Sequence, residues 1–415
     1  MLSEYSVKPL HYKIDLYNIQ FGGDFAYTGT AIIDLAISEP THTIVLNAHQ
    51  LKLRSATIFG MQFSLFETLK ANLMAGQNAS DISYDAKFQR TTIAFPSLIA
   101  ANIRAPITIE FTGTINSDMA GFYRSKYKPL NPPAKSVGTE DGHHLMYSTQ
   151  FEACDARRAF PCFDEPNLKA TFDVSLEIPD DQTALSNMPE KESKPGSRPG
   201  LKVVQFERTP KMSTYLLAWA VAELEYVETF TERKYSGKQL PVRVYTTPGY
   251  KERGQLGAEV SAKVVDFYSD IFQLEYPLPK IDLLAVHEFS HGAMENWGLI
   301  TYRITAILFD PKTSDAQYKK RVAYVVAHEL AHQWFGNLVT MDWWNELWLN
   351  EGFATWVGWH ATEHFFPEFQ VWSSFVTEAV QTAQNLDGLR ASHPVDVPIA
   401  NGPGKSPRIV VYLMY

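Results

Sequence analysis

The sequence predicts an α+β protein in which an N-terminal β-sandwich precedes a mainly helical domain. In the first half, short segments of alternating polar and apolar residues are separated by turn residues, the pattern of half-buried strands. From about Gln255 the apolar residues recur at helical spacing instead. With 415 residues, 45 % of them hydrophobic, the chain is long enough for about two or three domains with buried cores. We predict domains over residues 1–226 and 227–415.

The strands of the first domain follow from the two-residue alternation of apolar side chains. A polar, Pro- and Gly-rich stretch at 188–200 predicts an exposed hairpin loop between two of them. Two further strands are predicted in the second domain, near 241–246 and at 281–286, the latter as a short buried run. The strands predicted in the first domain are 12–17, 28–36, 43–46, 91–95, 107–111, 170–178, 201–206 and 214–221.

Two helices are predicted in the middle of the second domain. Ser314 and Gln317 have the spacing of a capping box, and apolar residues at helical spacing follow over 316–335. Gly336 predicts the end of this helix, because glycine commonly terminates helices. A second helical run is predicted over 351–366, before a proline.

The sequence His328-Glu329-Leu330-Ala331-His332 lies at the end of the first of these helices. Two histidines four positions apart project from one face of a helix, so both imidazoles can reach one metal ion. Glu351, in the next helix, can supply a third ligand, and Glu329 can hold a water molecule. Three such ligands with an open fourth position characterise hydrolytic zinc sites. We therefore predict one Zn²⁺ per chain, bound by His328, His332 and Glu351.

The same five-residue pattern occurs a second time, in His287-Glu288-Phe289-Ser290-His291. This copy follows the predicted strand at 281–286 and runs directly into Gly292, which favours an extended strand-to-loop backbone. In an extended chain, residues four apart are separated by about 13 Å, too far for neighbouring ligands of one ion. We predict that this copy does not bind the metal and that its histidines line a pocket or lie on the surface.

Charge and composition disfavour several classes of protein. With 37 basic and 46 acidic residues the net charge is −9, which gives no electrostatic reason to bind nucleic acid or an anionic membrane. No apolar run approaches about 18 residues, and the first residues lack the pattern of a signal peptide. Cys154 and Cys162 are too few for a disulfide framework. We predict no nucleic-acid or membrane partner and a cytoplasmic location.

The segment Gly292-Ala293-Met294-Glu295-Asn296 precedes the metal-binding pattern and completes an ordered set of motifs. The set also includes Thr149-Gln150-Phe151-Glu152, Asp155-Ala156-Arg157-Arg158, Phe163-Asp164-Glu165-Pro166 and Leu46-Asn47-Ala48. In combination it closely resembles the gluzincin zinc aminopeptidases of the aminopeptidase N and puromycin-sensitive type, from about Tyr5 to Ile399. The resemblance implies a thermolysin-like catalytic domain after the β-sandwich.

An aminopeptidase must recognise the charged α-amine of a peptide, and a buried carboxylate is the natural partner for that charge. Glu295 can supply this carboxylate. The resemblance implies that two residues of the N-terminal domain complete the amine site and that the backbone before Glu295 pairs with the substrate. The predicted partners are therefore peptides with a free N-terminal amine. The predicted substrate-binding residues are Gln150, Glu152, Gly292, Ala293, Met294, Glu295 and Asn296.

The implied reaction is hydrolysis of the N-terminal peptide bond by metal-activated water, with Glu329 as general base. The resemblance also implies an oxyanion-stabilising tyrosine in an Ile-Ser-Tyr-x-Lys-Gly segment near the C-terminal end. Residues 401–415 do not contain this segment, and neither Tyr412 nor Tyr415 has its context. Together with the lack of the family's later domains, this predicts a C-terminally truncated chain whose catalytic domain is incomplete.

Three alternatives to an active aminopeptidase remain at this stage. The first is a non-catalytic zinc-binding fragment, favoured by the departure at 401–415. The second is an epoxide hydrolase of the leukotriene type, disfavoured because related enzymes carry glycine where this chain has Ala293. The third is a thermolysin-like endopeptidase, which leaves the role of Glu295 unexplained.

Overall fold

A computed structural model of the protein describes residues 1–2, 6–59, 61–62, 72–73, 76–130, 142–392 and 394–399. The chain divides into two units. Unit 1 consists of Met1–Arg124 and Tyr147–Val221, and unit 2 consists of Ser125–Met146 and the chain from Ala222 onwards. The predicted domain boundary at residue 226 stays a prediction.

Strands with alternating side chains build unit 1. In β1, Val7–Tyr17, and β2, Ala26–Ile37, buried residues alternate with more exposed ones along most of the length, as predicted. The other strands up to residue 222 are β3 Thr41–Asn47, β4 Lys52–Ile58, β5 Met61–Gln62, β6 Asn72–Leu73, β7 Gln77–Asn78, β8 Asp81–Asp85, β9 Arg90–Ile99, β10 Ile103–Thr114, β11 Gly121–Tyr127, β12 His144–Gln150, β13 Thr171–Pro179, β14 Thr183–Ser186, β15 Glu190–Pro195, β16 Leu201–Phe206 and β17 Trp219–Ala222.

These strands form three sheets within the described residues. The largest has the order β15-β16-β13-β1-β2-β10-β4-β7, with β5 and β6 beside β10. Within it, β1 pairs in parallel with β13 and antiparallel with β2. The other sheets have the orders β3-β9-β8 and β11-β12-β17-β14. The sheet-rich N-terminal part of the predicted fold is confirmed.

Two sequence predictions in unit 1 were wrong. Six of the thirteen residues in the predicted loop at 188–200 form β15, an edge strand paired with β16, and their polar composition reflects exposure at the sheet edge. The predicted strand at 214–221 begins instead as a 3₁₀ helix, Thr214–Leu216, and only β17 is extended. Thr214 Oγ1 donates a hydrogen bond of 2.7 Å to Asp164 Oδ1, a buried tertiary contact that the strand pattern did not show.

Unit 2 combines a five-stranded mixed sheet with packed helices. The sheet has the order β18-β19-β20-β22-β21. Its central strand β20 is buried along its whole length, as the continuous apolar run predicts. Its strands are β18 Glu225–Tyr235, β19 Lys238–Thr246, β20 Ile281–Val286, β21 Ala293–Met294 and β22 Leu299–Arg303.

The helices of unit 2 confirm the mainly helical character predicted for the second half of the chain. Among the described residues, none of them combines the length and the apolar character needed to cross a lipid bilayer. The α-helices are α1 Gln255–Phe272, α2 Ile304–Ile307, α3 Ala316–Ala331, α4 Leu347–Phe365, α5 Val371–Phe375 and α6 Gln381–Asp387, with a π-helical turn Val376–Val380 between the last two. The 3₁₀ helices of this unit are Lys251–Gly254, Trp344–Glu346 and Pro367–Phe369.

Helix α3 begins at a cap other than the predicted one. Asp315 Oδ1 accepts a hydrogen bond of 2.8 Å from Tyr318 N, and Asp315 has the extended backbone of an N-cap residue. The predicted capping box of Ser314 and Gln317 was therefore wrong by one position. The helix also ends at Ala331, before the predicted 335, because the chain turns after His332.

Helices α1, α3 and α4 meet beside the predicted metal ligand His328. The hydroxyl of Tyr268, on α1, donates to Ala327 O at 2.9 Å and to Val357 O at 3.2 Å. At the next residue of α4, Gly358, a Cβ would lie 3.2 Å from the backbone N and Cα of His328. The two ligand-bearing helices therefore approach each other at a position where no side chain separates them.

Candidate metal centre

The three predicted ligands converge in unit 2, two from the end of α3 and one from the second turn of α4. His328 Nε2 lies 3.0 Å from His332 Nε2 and 3.4 Å from Glu351 Oε2. His332 Nε2 lies 3.6 Å from the same carboxylate oxygen. Ligands about 2.0–2.1 Å from a tetrahedral zinc ion are separated from each other by about 3.3–3.4 Å. The donor types and their separations therefore fit a zinc ion.

The carboxylate of Glu351 is fully buried between the two imidazoles. Among the described residues, no other hydrogen-bond donor serves its oxygens. Burial alone raises a carboxyl pKa, but the nearby His332 and His328 outweigh it and hold the pKa of Glu351 well below its usual range. Glu351 is therefore charged at neutral pH, the form in which it binds a metal.

A hydrogen bond to the backbone orients His332. Its Nδ1 lies 3.0 Å from Phe335 O, and because a carbonyl can only accept, Nδ1 carries the proton. In neutral His332 the lone pair is then on Nε2, which faces His328 and Glu351. Gly336, with φ at +137°, follows this carbonyl, and a Cβ there would lie 3.3 Å from His332 Nδ1. The turn after α3 therefore favours the tautomer of neutral His332 in which Nε2 could bind a metal.

Glu329 lies between the two histidine ligands and is 6 % exposed. Burial raises the pKa of Glu329 well above its usual range; His332 opposes this effect, and Glu295 and Glu351 add to it. A carboxylate in such surroundings holds a proton more strongly than one in water. Glu329 is therefore suited to accept a proton beside the metal ligands.

Glu295 follows β21 directly and is also brought to the metal ligands. Its side chain is 3 % exposed, and Oε1 lies 4.0 Å from His332 Nδ1. Among the described residues Oε1 has no hydrogen-bond partner, and burial raises the pKa of Glu295. A cation bound at Oε1 would compensate this burial and keep the carboxylate charged.

The other residues of the 292–296 segment hold Glu295 at the edge of the sheet. Ala293 pairs with Tyr302, and Gly292 O accepts a hydrogen bond of 2.9 Å from Arg303 N. After Glu295, Asn296 Nδ2 donates to Thr301 Oγ1 at 3.1 Å. Met294 is buried in β21. The predicted substrate-binding role of these residues stays a prediction.

Gln150 and Glu152 lie in unit 1. Gln150 ends β12, is 2 % exposed, and its side-chain amide has no hydrogen-bond partner in the part of the chain that the structure describes. Glu152 follows two residues later and is half-buried. Their predicted part in amine binding stays a prediction.

The copy at 287–291 follows β20 directly, as predicted, but its backbone bends instead of continuing as an extended segment. His287 Nε2 lies 2.8 Å from Thr247 Oγ1, and its ring stacks on Tyr127 with centroids 5.2 Å apart. Glu288 accepts a hydrogen bond from a backbone amide, Lys126 N, and His291 Nδ1 lies 3.0 Å from Ser290 Oγ. The two histidines of this copy therefore make separate contacts.

Sequence reasoning missed two buried amides that follow the metal-binding pattern, Gln333 and Asn337. Both are fully buried and donate hydrogen bonds to the backbone carbonyl of Glu295. The available signal was polar residues in an otherwise apolar and glycine-containing run.

The stretch 401–415 and His393 lie outside the described residues, so the expectation for the family's tyrosine segment stays a prediction.

Comparison with known proteins gives matches to two family models and to curated aminopeptidases. The Peptidase M1 N-terminal domain matches residues 8–216, and the Peptidase family M1 domain matches residues 256–406. The alanine/arginine aminopeptidase of Saccharomyces cerevisiae is 46 % identical over 95 % of this chain and 43 % of its own length. The puromycin-sensitive aminopeptidase of Caenorhabditis elegans is 43 % identical over 95 % of this chain and 39 % of its own length. The chain thus spans about two fifths of the length of these relatives.

Proposed function

This chain belongs to peptidase family M1, and we propose that it carries the catalytic site of a zinc-dependent aminopeptidase. The buried Glu295 carboxylate is the main support for this proposal. Its Oε1 lies 4.0 Å from Nδ1 of the proposed ligand His332 and has no hydrogen-bond partner among the described residues. A buried carboxylate beside metal ligands is suited to the charged α-amine of a peptide. The proposed substrates are peptides with a free N-terminal amine.

His328, His332 and Glu351 would hold the zinc ion. When bound, Zn²⁺ supplies Lewis-acid activation of water and stabilisation of negative charge on the substrate carbonyl oxygen. The short distances among the three ligands and the lowered pKa of Glu351 support this assignment.

Glu329 is the proposed general base. Its carboxylate accepts a proton from the attacking water as the water oxygen bonds to the carbonyl carbon. When the carbon–nitrogen bond breaks, Glu329 transfers this proton to the leaving amine. The buried position of Glu329 supports the role, since it raises the pKa of the carboxyl above its usual range.

Glu295 restricts the reaction to the first peptide bond in this proposal. A salt bridge to the α-ammonium places the first residue of the substrate next to the ligands, so later bonds do not reach them. By family resemblance, Gln150 and Glu152 complete the amine site. The predicted cytoplasmic location also stays a proposal.

A second candidate is a zinc-binding chain without turnover. The observation that favours it is the sequence of residues 401–415, which lacks the Ile-Ser-Tyr-x-Lys-Gly pattern expected there. The two candidates share the metal site and differ in whether a peptide bond is cleaved.

The test is to purify the chain, determine its zinc content, and compare hydrolysis of an aminoacyl anilide with that of its N-acetylated twin. Zinc near one per chain, with cleavage of the free-amine substrate alone, supports the aminopeptidase. Zinc without cleavage of either substrate supports the second candidate. Equal cleavage of both substrates contradicts amine recognition by Glu295.

A further inference from the structure

Two buried side-chain amides link the end of helix α3 to the backbone of Glu295. Gln333 directly follows the ligand His332, and Asn337 lies in the turn beyond it; both are fully buried. Asn337 Nδ2 donates a hydrogen bond of 2.8 Å to Glu295 O. Gln333 Nε2 lies 3.2 Å from the same oxygen. We call Gln333 and Asn337 the amide pair.

Gln333 also links the backbones of the two glutamates whose carboxylates belong to the proposed site, Glu329 and Glu295. Its Nε2 donates to Glu329 O at 3.1 Å as well as to Glu295 O. On its other side, Gln333 Oε1 lies 3.5 Å from Gly298 N. One side chain therefore contacts the helix that carries the general base and the segment that carries the amine-binding carboxylate.

The carbonyl of Glu295 is thus located by two donors from different positions of the chain. A carbonyl oxygen accepts hydrogen bonds preferentially along its two lone-pair directions, so two donors define its position better than one. The side chain of this residue reaches to 4.0 Å from His332 Nδ1. Displacement of the Glu295 backbone therefore changes the distance between its carboxylate and the metal ligands.

An aminopeptidase depends on this distance, because the metal must face the carbonyl of the same residue that carries the bound amine. We propose that Gln333 and Asn337 are positioning residues that set the separation between the Glu295 carboxylate and the metal ligands. A ligand binds both groups only if its amine and its metal-binding group have the matching spacing. The amide pair thereby sets the spacing that the site selects. The inference rests on the proposed function, since it requires amine binding by Glu295.

The test measures ligand binding and does not depend on turnover. Two probes are titrated into the zinc-loaded chain: leucine hydroxamate, with an α-amine, and β-homoleucine hydroxamate, in which one more methylene separates the amine from the hydroxamate. We expect the unsubstituted chain to favour the α-amine probe. Gln333→Met keeps the side-chain length and removes the hydrogen bonds from Nε2 to Glu295 O and Glu329 O. We expect it to reduce the preference for the α-amine probe by about 10–100-fold.

A matched control is available in the same unit. Gln239 Nε2 donates to Thr231 O at 2.6 Å, an amide-to-carbonyl bond in the β18–β19 hairpin. We expect Gln239→Met to keep the α-amine preference and all variants to keep their zinc. Asn337→Ala removes the other donor without adding charge, and we expect a smaller reduction because Gln333 still donates to the Glu295 carbonyl. It serves as the test if Gln333→Met fails to fold.

The outcomes separate this inference from the function on which it rests. If the unsubstituted chain binds both probes equally, amine recognition by Glu295 is wrong and the inference is wrong with it. If the unsubstituted chain favours the α-amine probe and the substituted, zinc-loaded chains keep that preference, the amide pair does not set the spacing. An equal loss of affinity for both probes also overturns the inference, since it indicates a general effect on packing.

Discussion

The chain contains the same five-residue pattern twice, once in a loop that directly follows strand β20 and once in a helix. In the helix copy, residues 328–332, the two imidazoles meet with their Nε2 atoms 3.0 Å apart. In the strand copy, residues 287–291, one histidine contacts Thr247 and Tyr127 and the other contacts its neighbour Ser290. Histidines at identical spacing therefore make different contacts, because the backbone determines where the side chains point.

The surroundings of the two copies differ as much as their backbones. In the helix copy, Glu351 and Glu295 oppose the effect of burial and hold the pKa of His332 well above its usual range. In the strand copy, burial lowers the pKa of His287 to about 4, and Glu288 opposes this only in part. Charged partners from other elements thus favour positive charge in the helix copy, while burial favours the neutral form of His287.

We expect the largest effect from replacing the glutamate of the helix copy, compared with the same replacement in the strand copy. Glu329→Gln should lower kcat by about 10²–10⁴-fold, since it removes the general base. The zinc content should stay the same because Glu329 is not a ligand. Glu288→Gln is the matched control, and it should change neither quantity. Activity toward the free-amine anilide and zinc content check both variants; full activity of Glu329→Gln would contradict the proposed base.

The second prediction compares one histidine of each copy. His332→Ala should weaken zinc binding by more than about 100-fold, the upper range for losing a residue that merely supports a ligand. His291→Ala should leave zinc affinity unchanged, because His291 is outside the ligand set. Competition with a chromogenic chelator measures both affinities. Comparable losses in the two variants would show that the strand copy also contributes to metal binding.

The third prediction concerns the helix packing that places His328. Ala at position 358 puts a methyl group 3.2 Å from the His328 backbone, so Gly358→Ala should destabilise the fold by about 1–3 kcal/mol. At Gly352 an added Cβ would meet nothing within 4 Å, and Gly352→Ala should stabilise α4 by up to about 1 kcal/mol. Denaturant unfolding measures both. A stable Gly358→Ala variant would mean that α3 and α4 can separate without cost.

Some elements of this structure could be predicted from the sequence, and others could not. The apolar pattern located β20 to the residue and the beginning of α1 near Gln255, because long or fully buried apolar runs leave few alternatives. It predicted that the imidazoles of His328 and His332 meet, because a spacing of four residues on one face is a local property of a helix. It missed the strand β15, whose polar residues reflect an edge position, since exposure at a sheet edge depends on the neighbouring strand.

The amide pair could not be predicted for a related reason. Gln333 is adjacent to a recognised motif, but its partner Glu295 is 38 positions away in the chain, and only the packing of α3 against β21 brings them together. Likewise, Tyr268 joins two helices through carbonyls that have no sequence signature. Residues that act through backbone contacts at long range require the tertiary structure to be found.

The smallest expected effect is the pH dependence that His287 contributes in the strand copy. Its folded pKa of about 4 lies below the unfolded value of about 6.5, so the unfolded state binds the proton more readily. This contribution to stability is therefore complete above pH of about 6.5 and is lost as the pH falls toward about 4. Because His287 is half-buried, we expect a loss of about 1–2 kcal/mol between pH 7.5 and pH 5, at about 1.36 kcal/mol per pKa unit and reduced for solvent screening.

Denaturant unfolding of the unsubstituted chain and of His287→Gln at both pH values isolates this residue, since the other histidines are common to both. A stability difference between the two chains that does not change with pH would show that His287 is not held neutral, and would remove this electrostatic distinction between the two copies.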